Sequence, residues 1–452
     1  MSRPSKKTPS SVSRTASAPA ADHERKYLTA AMILLSVVVL ALAIACNLNS
    51  PLQFDRNGRT VGSNPDEYAH LLNVQRVSQG HLPVFVQGDG DYEAHQPPLY
   101  YAVTAPFALL TRSMDNEHSA QIVRIPSIVF GIALLWVVFA LVQLVLPTRP
   151  WIAFGAAAFV GLLPMNVTLV ASITNDVLTN LIMAIALWKM AKVVESADAG
   201  KPESVFRRSR VLGIILGVGI WTKTSTLLLF PVAVVLYFVL MRRNALTAQQ
   251  AARSCGIAVL IGLAIGAPWL IRNTLLYGDP VAQHIFVTAF QNTALAKDMM
   301  NGHTTGYPLT LAEYAQWVVM WTFQSFWFRR GTVPDAVFNG PLVIAVLAVI
   351  GAVAYYVKER KAWSAGQTAM VASFVTLFVL TMLAFVRFNM TFFQAQGRYL
   401  YTALAPLAFF TVAGLSSLVP AKSEKLLVAV LTGVMIVYSG TSLSHIISSR
   451  PY

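Results

Sequence analysis

Apolar runs recur along the whole of this 452-residue chain, from Tyr27 to Ser444, and most are long enough to cross about 30 Å of hydrocarbon. Lipid offers no water to an exposed amide, so each run must satisfy its backbone hydrogen bonds internally, as a helix. The expected fold class is an all-α polytopic membrane protein. Composition agrees, with 55% hydrophobic and only 12% charged residues, outside the range of soluble domains. About eleven spans are expected, at 28–46, 121–146, 151–166, 175–191, 211–222, 224–241, 254–271, 340–357, 367–386, 399–419 and 426–443. Those at 151–166 and 211–222 fall short of the roughly 20 residues of a straight crossing, so they are broken or buried among other helices.

Lys and Arg set the orientation. The N-terminal tail and the segments around 149, 192–210, 242–253, 358–366 and 420–425 hold 20 of the 34 basic and 7 of the 20 acidic residues, a net +13. The segments on the other side hold 11 basic and 12 acidic residues, a net −1. This asymmetry places the N-terminus in the cytoplasm and the C-terminus outside, in the cell (inner) membrane. It also removes the nucleic-acid reading that a net charge of +14 invites, because the excess is spread over inside loops. The expected organisation is a disordered basic tail, 1–27, and one transmembrane domain, 28–452, whose outer loops 47–120 and 272–339 form the active face. The first span reads as uncleaved. Cys46 and Cys255, the only cysteines, form no metal-ligand pattern and read as packing residues.

The outer loops carry the polar chemistry. Asn64-Pro65 can open a helix in which Asp66 and Glu67 sit at the favourable end of the dipole. Leu71, Val74 and Val77, followed by Gly80, make that helix short, amphipathic and interfacial. Asp66 and Glu67 are then either solvated helix-start charges or a carboxylate base tuned by partial desolvation. Glu67 and His70 share one helix face, so a divalent metal, if one is bound, would take these two as ligands. His95-Gln96-Pro97-Pro98-Leu99-Tyr100-Tyr101 is an extended entry into an aromatic helix. Asp176, in Thr174-Asn175-Asp176, lies at the outer end of a span, where a carboxylate is either a helix-start residue or functional. Arg124, Lys223, Arg272 and Arg398 map to outer span edges; each either snorkels to headgroups or offers a phosphate its donors. Gly397 before Arg398 permits close approach of backbone or ligand.

In order, outward Asp66-Glu67, a short helix ending in Gly80, acidic Glu93, Pro97-Pro98-Leu99-Tyr100-Tyr101, Arg124-Ile125-Pro126-Ser127, Thr174-Asn175-Asp176, Thr222-Lys223-Thr224, Arg272-Asn273, Tyr277-Gly278-Asp279-Pro280 and Gly397-Arg398-Tyr399 resemble the GT-C membrane glycosyltransferases. The nearest patterns are those of lipid A aminoarabinose transferases and protein O-mannosyltransferases, and the resemblance spans about Thr29 to Leu418. It implies a polyprenyl-phosphate-linked sugar as donor and a glycan, lipid or protein hydroxyl as acceptor, on the non-cytoplasmic face. It implies Asp66 as base with inversion, Glu67 as the neighbour that orients acceptor or structure, and Asp176 as the second acidic position. The aminoarabinose transferases have Lys and the mannosyltransferases His before the Pro pair, whereas this chain has His95-Gln96. Arg398, Arg272 and Lys223 are the expected substitutes at the donor phosphate, and His70, Glu93, His95, Gln96 and Tyr100 the expected substrate contacts. Tyr307, Trp317, Trp321, Phe326 and Trp327 are expected either to cover the cavity or to anchor the interface. The rival class is a transporter or lipid flippase, which calls for internal repeats and midplane charges that this sequence does not show.

Overall fold

A computed structural model of the chain describes residues 18–50, 52, 66–87, 91–289, 293–328 and 333–448. Helix α1 (Ala18–Asn49) starts inside the segment expected to be a disordered tail. Its first turns are held in place, because Glu24 accepts from Trp151 at 3.0 Å and pairs with Lys425 at 2.9 Å. Residues 1–17 lie outside the described residues, as do Asn64 and Pro65.

The chain then builds α2 (Glu67–Ser78) and α3 (Leu99–Leu110), followed by α4 (Asn116–Val123) and α5 (Ile125–Val145). Next come α6 (Pro150–Leu162) and α7 (Pro164–Val170), which are bent by 65° at the proline, as a short span at 151–166 suggested. Helices α8 (Asn175–Asp198), α9 (Pro202–Ile220), α10 (Leu229–Arg242) and α11 (Ala248–Tyr277) pass back and forth through the bundle. The second outer segment contributes α12 (Gln283–Ala289), α13 (Ala296–Met300) and α14 (Leu311–Trp327). Helices α15 (Asn339–Glu359), α16 (Ala365–Asn389), α17 (Leu404–Ser417) and α18 (Glu424–Ser448) complete it. Among the described residues the only bridge of sheet type is an isolated one, Leu295 to Phe392.

This is a multi-pass membrane protein. Nine helical segments of the described residues are long and apolar enough to cross a membrane, ten if the bent pair counts as one span. The expected span 211–222 is not among them. It falls largely in the second half of α9, whose first half carries Arg207, Arg208 and Arg210.

The termini of this bundle lie at opposite ends. At one end Arg149 meets Glu424 at 2.8 Å, Gln367 meets the Val145 carbonyl at 3.1 Å, and Asp198 accepts from the Gly366 amide at 3.0 Å. The basic segments named above gather there. At the other end Cys46 packs with Val167, Ala171 and Ile446. Small residues let the helices close in: a Cβ on Gly213 or Gly217 of α9 would strike α11, and one on Gly351 of α15 would strike the Gly414 carbonyl of α17. The starts of α2, α8 and α17 and the ends of α9 and α16 all reach the second end, and their polar residues converge there.

Candidate active site

Asp66 precedes α2 in the left-handed region (φ 59°) and its side chain caps nothing. That conformation is strained for a residue with a Cβ, though Asp tolerates it better than most. It turns the carboxylate away from the helix start and into a cavity of about 870 Å³. Thr174, by contrast, caps α8 through the Asp176 amide at 3.2 Å, which leaves the Asp176 carboxylate free for the same cavity. Lys223 follows the end of α9, and Arg398 stands in the turn before α17.

These four side chains form one network. Arg398 binds Asp66 Oδ2 and, at 3.2 Å, Asp176 Oδ2. Lys223 binds Asp176 Oδ1 and reaches Asn175 Oδ1 at 3.5 Å. Tyr92 donates to Asp66 Oδ1 at 2.9 Å, so both oxygens of Asp66 are engaged. Burial pushes Asp66 up, but the Arg398 guanidinium outweighs it and holds the carboxyl below the usual carboxylate range. The Arg398 turn is itself braced from below by α14: the Gly397 amide donates to Ser325 Oγ at 2.8 Å, and Tyr401 donates to the Phe326 carbonyl at 2.6 Å. A Cβ on Gly397 would strike the α14 backbone, so the close approach anticipated at this glycine is that of backbone.

Glu93, His70 and Gln96 line the same polar end. Glu93 is only 6% exposed, and its carboxylate has no hydrogen-bond or ion-pair partner among the described residues; burial pushes it above the usual range. His70 is pushed down by burial against the opposing pull of Glu93 and Asp66, and its Nδ1 lies 2.9 Å from the Tyr101 hydroxyl. The lining also carries apolar side chains, Leu227, Leu228, Ala384, Phe385, Phe388 and Phe392.

Several expected residues face elsewhere. Glu67 turns from the cavity into a closed pair with Arg124, at 2.7 and 2.8 Å, and also accepts from the Ile173 amide at 2.7 Å. Arg124 in turn donates to Asn47, so this cluster joins α1, α2, α5 and the entry to α8. Tyr100 bonds Ser127 at 2.8 Å and the Thr174 amide at 3.0 Å, outside the cavity lining. His95 donates to the Tyr92 carbonyl at 2.9 Å and accepts from Gln96 at 3.2 Å, which suits a neutral ring pushed down to about 4 by burial. It shapes the loop that presents Glu93 and Gln96. Arg272 lies against Trp269, one turn back on α11, and donates to the Pro83 carbonyl at 2.6 Å. It fastens the loop after α2 and does not line the cavity.

The aromatic residues of the second outer segment form a support. Trp317 stacks on Trp321, with centroids 6.2 Å apart, Trp327 meets Phe159, and none of the five lines the cavity. Residues not singled out by sequence do line it: Asn180, Ser225 and Arg387, besides the α16 phenyl rings. Asn180 is one turn after Asp176 on the same face of α8, a spacing that could have marked it. Ser225 and the α16 rings carry no such signal.

The expected metal pair does not form a site, because Glu67 points to Arg124 and His70 to the cavity. No group of three His, Cys, Asp or Glu residues that could hold a metal occurs among the described residues. Asp66 and Asp176 already spend their charge on Arg398 and Lys223. The pair Glu67 and His70 does not fit a divalent ion.

Residues 95–271 match the sequence model of the dolichyl-phosphate-mannose-protein mannosyltransferase family. No curated protein matches the chain. Among solved structures, the oligosaccharyltransferase AglB of Archaeoglobus fulgidus, in complex with an inhibitory peptide and a dolichol-phosphate, is similar with TM-score 0.60 and 12% identity, over 94% of this chain and 56% of that one. A complex of the same archaeal protein with Zn and sulfate gives TM-score 0.55 and 11% identity, over 91% of this chain and 53% of that one. ArnT from Cupriavidus metallidurans, bound to undecaprenyl phosphate, is similar with TM-score 0.50 and 13% identity, over 92% of this chain and 75% of that one. The fold is similar to those of AglB and ArnT, and the motif order resembles the GT-C membrane glycosyltransferases. This chain spans little more than half the length of the archaeal protein.

Proposed function

We propose that this protein transfers a sugar from a polyprenyl-phosphate donor to an acceptor hydroxyl, with inversion, on the non-cytoplasmic face of the membrane. One observation carries the reading: a single cavity joins an apolar wall on α16 to a polar end holding Arg398, Lys223 and three carboxylates. An isoprenoid needs the first and a sugar phosphate the second. The positive-inside asymmetry puts the cavity's end of the bundle outside.

Direct displacement at the anomeric carbon needs cationic stabilisation of the departing phosphate and a base for the acceptor proton. Arg398 offers a forked donor set and Lys223 a point charge. In the resting protein Asp66 and Asp176 occupy both, and a donor phosphate competes for them. Two buried polar atoms on the lining lack partners, Asn180 Nδ2 and Ser225 Oγ, and are suited to sugar hydroxyls. The acceptor proton goes to a cavity carboxylate, either Asp66, as the resemblance implies, or Glu93. The dolichol-phosphate and undecaprenyl-phosphate complexes of the similar structures support the donor class.

The test is transfer by the purified protein from a panel of polyprenyl-phosphate sugars. Product is expected with the wild type, and Asp66→Asn is expected to abolish it while the protein remains folded. Full activity in Asp66→Asn would remove that residue from the mechanism.

A further inference from the structure

Three carboxylates line the cavity, and they are not equivalent. Asp66 is held by Arg398 and Tyr92, and Asp176 by Arg398 and Lys223. Glu93 is as buried as either, lines the same space and is held by nothing among the described residues. A base ends the step protonated. Protonating Asp66 or Asp176 gives up an ion pair and leaves a buried cation undercompensated. Protonating Glu93 relieves a buried charge that has no partner.

We infer that Glu93 is the group that takes the acceptor proton, and that Asp66 is a positioning residue that holds Arg398 until the donor phosphate arrives. The inference rests on the glycosyltransferase reading. The acceptor oxygen bonds to the anomeric carbon as its hydrogen passes to the Glu93 carboxylate. The bond from anomeric carbon to phosphate oxygen breaks, its electron pair leaves with the polyprenyl phosphate, and Glu93 returns its proton to solvent. The charged and titratable groups facing Glu93 are His70 on α2, Asp66 before it, Lys223 after α9 and Arg398 before α17, with the hydroxyls of Tyr92 on its own loop, Tyr101 on α3 and Tyr399 beside Arg398.

The experiment uses the full-length protein in detergent and whichever polyprenyl-phosphate sugar the wild type turns over. Glu93→Gln is expected to bind polyprenyl phosphate within about twofold of wild type but to lose 10²- to 10⁴-fold in kcat, roughly the range of a general base. Exogenous formate is expected to restore part of that loss in Glu93→Gln and none in Asp66→Asn. The acid limb of the pH profile is expected to vanish in Glu93→Gln and to persist, at lower kcat, in Glu93→Asp. A Glu93→Gln protein that keeps more than about a tenth of kcat, or formate rescue of Asp66→Asn alone, overturns the assignment. Unaltered phosphate binding shows that the variant is folded; a variant that fails this is replaced by Glu93→Asp, in which an unchanged kcat and pH profile overturns the assignment. Absence of product from the wild type with every donor overturns the transfer reading, and the role of Glu93 with it.

Discussion

Asp66 and Glu67 are neighbours in sequence and sit in opposite kinds of site. Glu67 closes on Arg124 with both partners at most 2% exposed, and it also accepts from the Ile173 amide in the turn before α8. Asp66, turned by its left-handed backbone, meets Arg398 where both line an open cavity. The pairing chemistry is the same in both places, an arginine on a carboxylate. What separates a structural pair from a functional one here is whether there is space beside it.

The largest expected effect comes from breaking the closed pair. Arg124→Met leaves Glu67 buried without a counter-charge, a loss of about 3–5 kcal/mol. It is expected to lower the yield of folded protein and its thermal midpoint in detergent. Were the two sites alike, Arg398→Lys would do the same. Instead that variant is expected to fold and to lose transfer. Giving up one charged hydrogen bond of the guanidinium fork costs about 1.5–3 kcal/mol, or about ten- to a hundredfold in kcat/KM.

The pH profile sharpens the comparison inside the cavity. Glu93 is pushed up by burial, so a base at that residue is active above its raised value, and transfer is lost as pH falls through a point above the ordinary carboxylate range. Asp66 is held below that range, and a base there would keep working to lower pH. Smaller still is Arg272→Ala, which frees the Pro83 carbonyl. It is expected to lower the thermal midpoint by the equivalent of about 0.5–1.5 kcal/mol and to leave affinity for polyprenyl phosphate within about twofold, measured by ligand titration. Treatment with chelator is expected to leave the transfer rate unchanged, since Glu67, the expected metal-ligand partner of His70, is closed on Arg124.

The helical membrane fold was legible because its cause is one-dimensional: a run of apolar residues must become a helix in lipid wherever it occurs. The shortness of the span at 151–166 left a break and burial among other helices as alternatives, and the 65° bend before Pro164 decides for the break. Asp176, Lys223 and Arg398 could be named because a charge at a span edge stands out against apolar sequence, and Asp66 because it stands at the start of a short amphipathic helix in an outer loop. Which partner each charge takes is another matter. Arg398 and Arg272 both stand at the edge of an apolar stretch; the difference is that Pro83 folds back onto Arg272 and α8 faces Arg398. Glu67 and His70 share the spacing of a ligand pair on one helix face, but Arg124, 54 residues beyond His70, decides the direction of Glu67. The apolar cavity wall on α16 was invisible, because Phe385 and Phe388 read like any other span residues.

The central claim is tested most directly by incubating the purified protein with polyprenyl-phosphate sugars and an acceptor hydroxyl, and reading the anomeric configuration of the product by NMR. Transfer with inversion, lost in Asp66→Asn and in Glu93→Gln, is the predicted result. Retention of configuration, or undiminished transfer by both variants, would contradict it.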